Sequence, residues 1–107
     1  MKILLDECVT KKLRPFLANH EVLTVTQMTW NGYRNGNLME KAVAASFDLL
    51  ITIDKNLRFQ QNIQKRDLIV VIFDSPSSKI EELQKFIPQF FNQLATFEKR
   101  NVYVLTI

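Results

Sequence analysis

Three uninterrupted apolar runs restrict what this chain can fold into: Ile3-Leu4-Leu5, Leu49-Leu50-Ile51 and Leu68-Ile69-Val70-Val71-Ile72. A strand that is wet on one face alternates apolar with polar residues, whereas a strand buried on both faces does not. The runs therefore read as strands of a parallel sheet covered on both sides. The segments between them carry a helical period instead. Val9, Leu13, Phe16 and Leu17 share one face of a predicted helix over 9–18, and Leu38, Met39, Ala42, Val43 and Ala45 do so over 36–47. Val22-Leu23-Thr24-Val25 is rich in β-branched residues and predicts a strand over 21–26. Residues 56–63 read as a short helix or loop, and residues 101–107 as a last strand. A long helix is expected over 77–97, with Ser78 as its cap and Glu81 closing a capping box. Pro88 is expected to kink or split it. Both glycines of the chain, Gly32 and Gly36, fall within 29–37, the clearest loop. This alternation predicts a three-layer α/β/α domain with a mainly parallel five-stranded sheet and right-handed crossovers.

The 107 residues suit a single domain spanning 1–107, and a hydrophobic content of 47% is enough for a core. Cys8 is the only cysteine, so no internal disulfide forms, which suits a reducing compartment. No signal peptide is visible, and no run approaches the ~20 apolar residues of a membrane span. A cytoplasmic protein with no membrane partner is the expectation. The net charge of +3 is compatible with a nucleic-acid partner but does not demand one.

Ligands of parallel sheets bind beyond the carboxyl ends of the strands, near the point where strand order reverses. Carboxylates recur at those ends. Asp6 and Glu7 follow the first run, Asp54 and Lys55 follow 49–53, and Asp74 follows 67–73. Carboxylates held close together repel, and either a proton or a cation relieves the repulsion. Hard oxygen donors of this kind suit Mg²⁺ or Mn²⁺. Such an ion activates water and stabilises charge on a phosphodiester. An Asp after a strand also serves as a helix cap or a turn residue. Asp6 and Asp54 are the favoured pair. Asp74 precedes Ser75-Pro76, a turn-like context, and Glu7 has an alternative place in solvent.

Two stretches, Lys2-Ile3-Leu4-Leu5-Asp6-Glu7 and Leu50-Ile51-Thr52-Ile53-Asp54-Lys55-Asn56-Leu57, resemble the signatures of the small PIN-like proteins of the DUF5615 group. That group is in turn similar to the C-terminal domain of Mut7-type exonucleases. Asn19-His20-Glu21-Val22 stands where the family has a strand after a Gly-His-like turn, and residues 35–42 match its loop and central helix. The resemblance covers about residues 1–75. It implies a PIN-like fold, a Mg²⁺- or Mn²⁺-dependent ribonuclease, and a role as the toxin of a toxin–antitoxin pair. It makes Asp6 and Asp54 the catalytic, metal-binding acids. The chain departs from the pattern at Cys8, where the family commonly has Asn, and at Asn35 and Asn56, where it often has Asp. Glu40 on the central helix, and Asp74, are the candidates to complete the metal set.

Lys55, Arg58 and Arg34 are the candidates to hold an RNA backbone near this edge. Lys11, Lys12 and Arg14 follow the first strand, and for both lysines a solvated surface is the better reading. Trp30 and Tyr33 either stack on bases or anchor their loop to the core. Phe86, Phe90, Phe91 and Phe97 read as core, with a stripe for a homodimer or an antitoxin helix as the alternative. His20 falls at the wrong edge for the acids, and Cys8 has no histidine beside it to serve as a base. Two other functional readings remain. One is a catalytically degenerate PIN-like module that only binds. The other is a phosphoacceptor domain similar to response-regulator receivers, with Asp54 as acceptor, although that pattern needs a lysine after the fifth strand, where this chain has Thr106-Ile107.

Overall fold

The computed structural model describes residues 1–59 and 63–107. The strands are β1 (Lys2–Leu5), β2 (Glu21–Thr24), β3 (Leu49–Thr52), β4 (Ile69–Phe73) and β5 (Asn101–Leu105). They form one five-stranded sheet in the order β2-β1-β3-β4-β5, with every neighbouring pair parallel. Leu4 sits opposite Leu23 on one side and Leu50 on the other; Leu50 in turn faces Val70, and Val70 faces Val102. This is an α/β fold.

The apolar runs are buried as their composition requires. Alternate residues enter two separate clusters. Ile3, Leu5, Ile51, Val71 and Phe73 belong to the first, with Leu13, Leu17, Phe86 and Phe90. Leu4, Leu50, Val70 and Ile72 belong to the second, with Leu38, Met39 and Ala42 of helix α1 (Asn35–Ala44). Each residue of the three apolar runs is thus dry whichever way its side chain points, which explains the absence of polar alternation in them.

The helical segments depart from expectation in the 9–18 segment and at the Ser78 cap, whereas the split expected of the 77–97 helix is present. The segment expected as a helix over 9–18 is a 3₁₀ helix, Lys11–Leu17. Pro15 lies inside it, lacks an N–H, and disfavours the wider α-turn. Leu13 and Leu17 are buried as expected, but Phe16 is 41% exposed. The helix expected over 77–97 is broken into α2 (Ile80–Leu83) and α3 (Ile87–Gln93) with 3₁₀ turns after each. Pro88 falls in the first turn of α3, where its missing donor has no intrahelical partner to lose. Ser78 does not cap: Lys79 is the cap residue and no side chain bonds the first turn. The serines act one step earlier, where Ser75 Oγ donates to Ser77 O and Ser77 Oγ accepts from Lys79 N. Phe86, Phe90 and Phe97 are core residues, whereas Phe91 is 38% exposed.

The order β2-β1-β3 puts a topological switch at the carboxyl ends of β1 and β3. From β1 the chain leaves toward β2, and from β3 it leaves toward β4 on the other side. The two connections diverge there and leave a crevice.

Candidate functional site

Asp6 and Asp54 both reach that crevice. The Asp6 N–H donates to Ile51 O at 3.0 Å, which carries the β1–β3 ladder one residue past β1. Its side chain then turns over the strand end. Asp54 lies just beyond β3, where its Oδ1 accepts from Asn56 N at 3.0 Å and caps the 3₁₀ helix Lys55–Phe59. Both acids line one open cleft of about 560 Å³ with Glu7, Cys8, Tyr33 and Arg34. Lys55, Asp74 and Glu40 are not among its described lining residues.

Thr52 joins the pair. It is fully buried, and its hydroxyl donates to Asp6 Oδ2 at 2.7 Å while accepting from Asp54 N at 3.0 Å. The hydroxyl proton is therefore committed to Asp6. The Cys8 thiol lies 3.6 Å from Thr52 Oγ1 and 3.7 Å from Asp6 Oδ2. With the Thr52 proton engaged, the single thiol proton is the one left to serve these two contacts. Burial pushes the Cys8 thiol above its ordinary value, and the Asp6 carboxylate adds to the rise. Cys8 is thus held as a neutral thiol, the opposite of an activated nucleophile. Thr52 was not singled out from sequence. Its signal was a hydroxyl at the end of an otherwise apolar buried run, two residues before an acid.

The second wall is the 29–34 loop. Trp30 packs edge-on to Phe47 at 5.9 Å and belongs to the periphery of the second apolar cluster, so it anchors the loop. Gly32 has φ +86°, a conformation that other residues adopt only under strain, and it turns the loop back toward the acids. Asn31 Nδ2 donates to Glu7 Oε1 at 2.8 Å and ties the loop to the end of β1. Tyr33 is 43% exposed in the cleft. Of the two loop aromatics, Trp30 anchors, and Tyr33 lines the cleft with Lys41 Nζ 4.7 Å from its ring centre. Arg34 lines the cleft without an ion pair among the described residues.

Other expected site residues are engaged in ion pairs of their own. Glu40 Oε1 pairs with Arg66 Nη2 at 2.9 Å, and both line a different hollow with Asp67 and Arg100. Arg66 and Asp67 precede β4, so Glu40 is held at the amino-end of the sheet. That geometry removes it from a ligand set with Asp6 and Asp54. Its position, more than a turn into α1, carries it away from the crevice. Asp74 Oδ1 and Lys55 Nζ pair with each other at 2.7 Å, so each is already satisfied. The side chains of Arg58 and Asn35 lie outside the described residues.

Among the described residues, no group of three or more His, Cys, Asp and Glu side chains is arranged to hold a metal ion alone. A donor set of two carboxylates nevertheless fits Mg²⁺ or Mn²⁺, which usually retain several waters and take one or two protein carboxylates plus substrate oxygens. Asp54 Oδ2 accepts no hydrogen bond from the described residues and remains open to a ligand. Comparison of the chain with protein-family models, with curated proteins and with solved structures finds no match.

Proposed function

We propose that this protein is a Mg²⁺- or Mn²⁺-dependent ribonuclease of PIN-like type. One observation carries the reading: Asp6 and Asp54, from strands adjacent in the sheet but distant in sequence, share a single cleft at the topological switch and are linked through Thr52. Asp6 and Asp54 would hold the ion. When bound, it supplies an activated water and offsets charge on the phosphoryl oxygens. Thr52 fixes the carboxylate plane of Asp6, as outer partners of metal ligands do. Arg34 offers its guanidinium to a non-bridging phosphate oxygen, and Tyr33 offers an exposed ring to a base. The family resemblance adds the setting, a toxin neutralised by an antitoxin protein.

The test is cleavage of a labelled single-stranded RNA with and without Mn²⁺ or Mg²⁺, with Asp54→Asn beside the wild type. Metal-dependent cleavage lost in the variant supports the reading. Equal cleavage by both contradicts it. No cleavage and no Mn²⁺ binding favours the degenerate binding module.

A second reading has its own observation. The strand order β2-β1-β3-β4-β5 is also that of the flavodoxin-like and receiver folds. In a receiver-like domain Asp54 accepts a phosphoryl group. Mass gain at Asp54 on incubation with acetyl phosphate distinguishes this from the nuclease.

A further inference from the structure

The cations of this chain are unevenly paired. Lys55, Arg66, Lys85, Lys99 and Arg100 each meet a carboxylate within 4 Å. Lys2 bonds Ala45 O and lies over Phe47, and Lys41 lies over Tyr33. Lys11, Lys12 and Arg14 have no ion pair among the described residues, yet they sit together. They line a hollow of about 650 Å³ between the Lys11–Leu17 segment and the start of β2, and no acid lines it. His20 lines the same hollow, and its Nδ1 is shielded from solvent with no hydrogen-bond partner. Three neighbouring cations unpaired around a concavity give it a positive potential that attracts anions.

The basic hollow and the acid cleft each share lining residues with a third hollow. A smaller hollow of about 380 Å³ shares Asp6 and Glu7 with the cleft and Lys11 with the basic hollow. Its other wall is the turn after β2, held by reciprocal bonds in which Thr24 N donates to Gln27 Oε1 and Gln27 N donates to Thr24 Oγ1. Taken in series through these shared residues, the three hollows outline a trough with cations at its far end.

We infer that this trough is the path of a single-stranded RNA chain, with Lys11, Lys12 and Arg14 holding the phosphates of nucleotides several positions away from the scissile bond. The inference rests on the nuclease reading for the identity of the polyanion. Lys11 and Lys12 are exposed, as the sequence suggested, and the structure adds that they gather with Arg14 around a concavity that no acid lines. Cations that hold phosphates contribute electrostatically and without sequence preference.

The test uses the wild type, Lys11→Gln/Lys12→Gln/Arg14→Gln and the charge-preserving Lys11→Arg/Lys12→Arg/Arg14→Lys. Fluorescence anisotropy follows a labelled 12-nucleotide single-stranded RNA, without divalent metal, across a salt series. Each phosphate contact contributes about 0.7 to the slope of log affinity against log salt, so losing three lowers the slope by about 2. The charge-preserving variant keeps the wild-type slope. An unchanged slope in the neutral variant overturns the inference, whatever the cleavage result, and leaves the hollow to an acidic protein partner. A loss in both variants points to misfolding of the segment and also overturns it. If the neutral variant loses its slope while the wild type cleaves nothing with Mn²⁺, the trough stands as an RNA site and the nuclease reading fails alone.

Discussion

At the scale of single residues, the site depends on a hydroxyl. Thr52 is buried at the end of β3, and its one proton goes to Asp6. Replacing it by Val keeps the shape and removes the donor. Asp6 then keeps only the Glu7 N–H and the Cys8 thiol as fixed neighbours. Outer partners of metal ligands are typically worth about 10–100-fold in affinity or activity. Thr52→Val is therefore expected to weaken Mn²⁺ binding and RNA cleavage by about that factor, and Thr52→Ser to restore most of it. Calorimetric titration with Mn²⁺ beside a cleavage assay checks both. His20 gives a second prediction. Burial pushes its imidazole below the ordinary value of 6.5, and the N-terminal ammonium acts in the same direction. The unfolded chain therefore takes up a proton in a window where the folded chain does not. Stability falls as pH drops through 6.5, and this loss levels off below the folded pKa. Urea midpoints from about pH 7.5 to about pH 5.5 are expected to decline in the wild type and to decline less in His20→Asn. These residue roles were unevenly legible in the sequence. Asp6 and Asp54 were legible because each ends an apolar run. Thr52 was hidden because a Thr at a strand end is ordinary. Glu40 was misplaced because a helix acid carries no mark of the edge toward which its helix has advanced.

At the scale of elements, the strands were readable and the helices less so. Double burial removes polar alternation, so composition alone marks β1, β3 and β4. Helical periodicity, in contrast, does not separate an α-helix from a 3₁₀ helix, and Pro15 decides the matter locally in the Lys11–Leu17 segment. The long C-terminal helix divides because Pro88 cannot donate, while Ser75 and Ser77 are spent on the preceding turn. Helix α1 ends in a Schellman arrangement: Ser46 N donates to Val43 O and Phe47 N to Ala42 O. Ser46 takes φ 67° there, a left-handed conformation that favours glycine. A non-glycine residue in that region costs about 1–2 kcal/mol, partly offset in glycine by backbone entropy. Ser46→Gly is therefore expected to raise unfolding stability by about 0.5–1 kcal/mol in chemical denaturation. A lower stability contradicts the account of that helix end.

At the scale of the whole molecule, strand order places the cleft. With β1 and β3 adjacent and their outgoing connections diverging, the ends of the first and third strands become one cleft. No single stretch of sequence contains this fact. Alternation of apolar runs with helical segments announces a parallel sheet, but the order of strands is a property of crossovers. The same arrangement places a further hollow, lined by Asp6, Glu7 and Lys11, beside the cleft, which linear spacing does not reveal. Among the described residues, no helix is long and apolar enough to cross a membrane.

The central claim is that Asp6 and Asp54 act as one metal-holding unit that cleaves RNA. A double-mutant cycle on Mn²⁺-dependent cleavage of single-stranded RNA tests it most directly, using Asp6→Asn, Asp54→Asn and the double variant. Groups that act as a unit are strongly non-additive. The account predicts that either single substitution removes nearly all cleavage and that the second adds almost nothing. Independent, multiplying losses, or cleavage retained in either single variant, would contradict it.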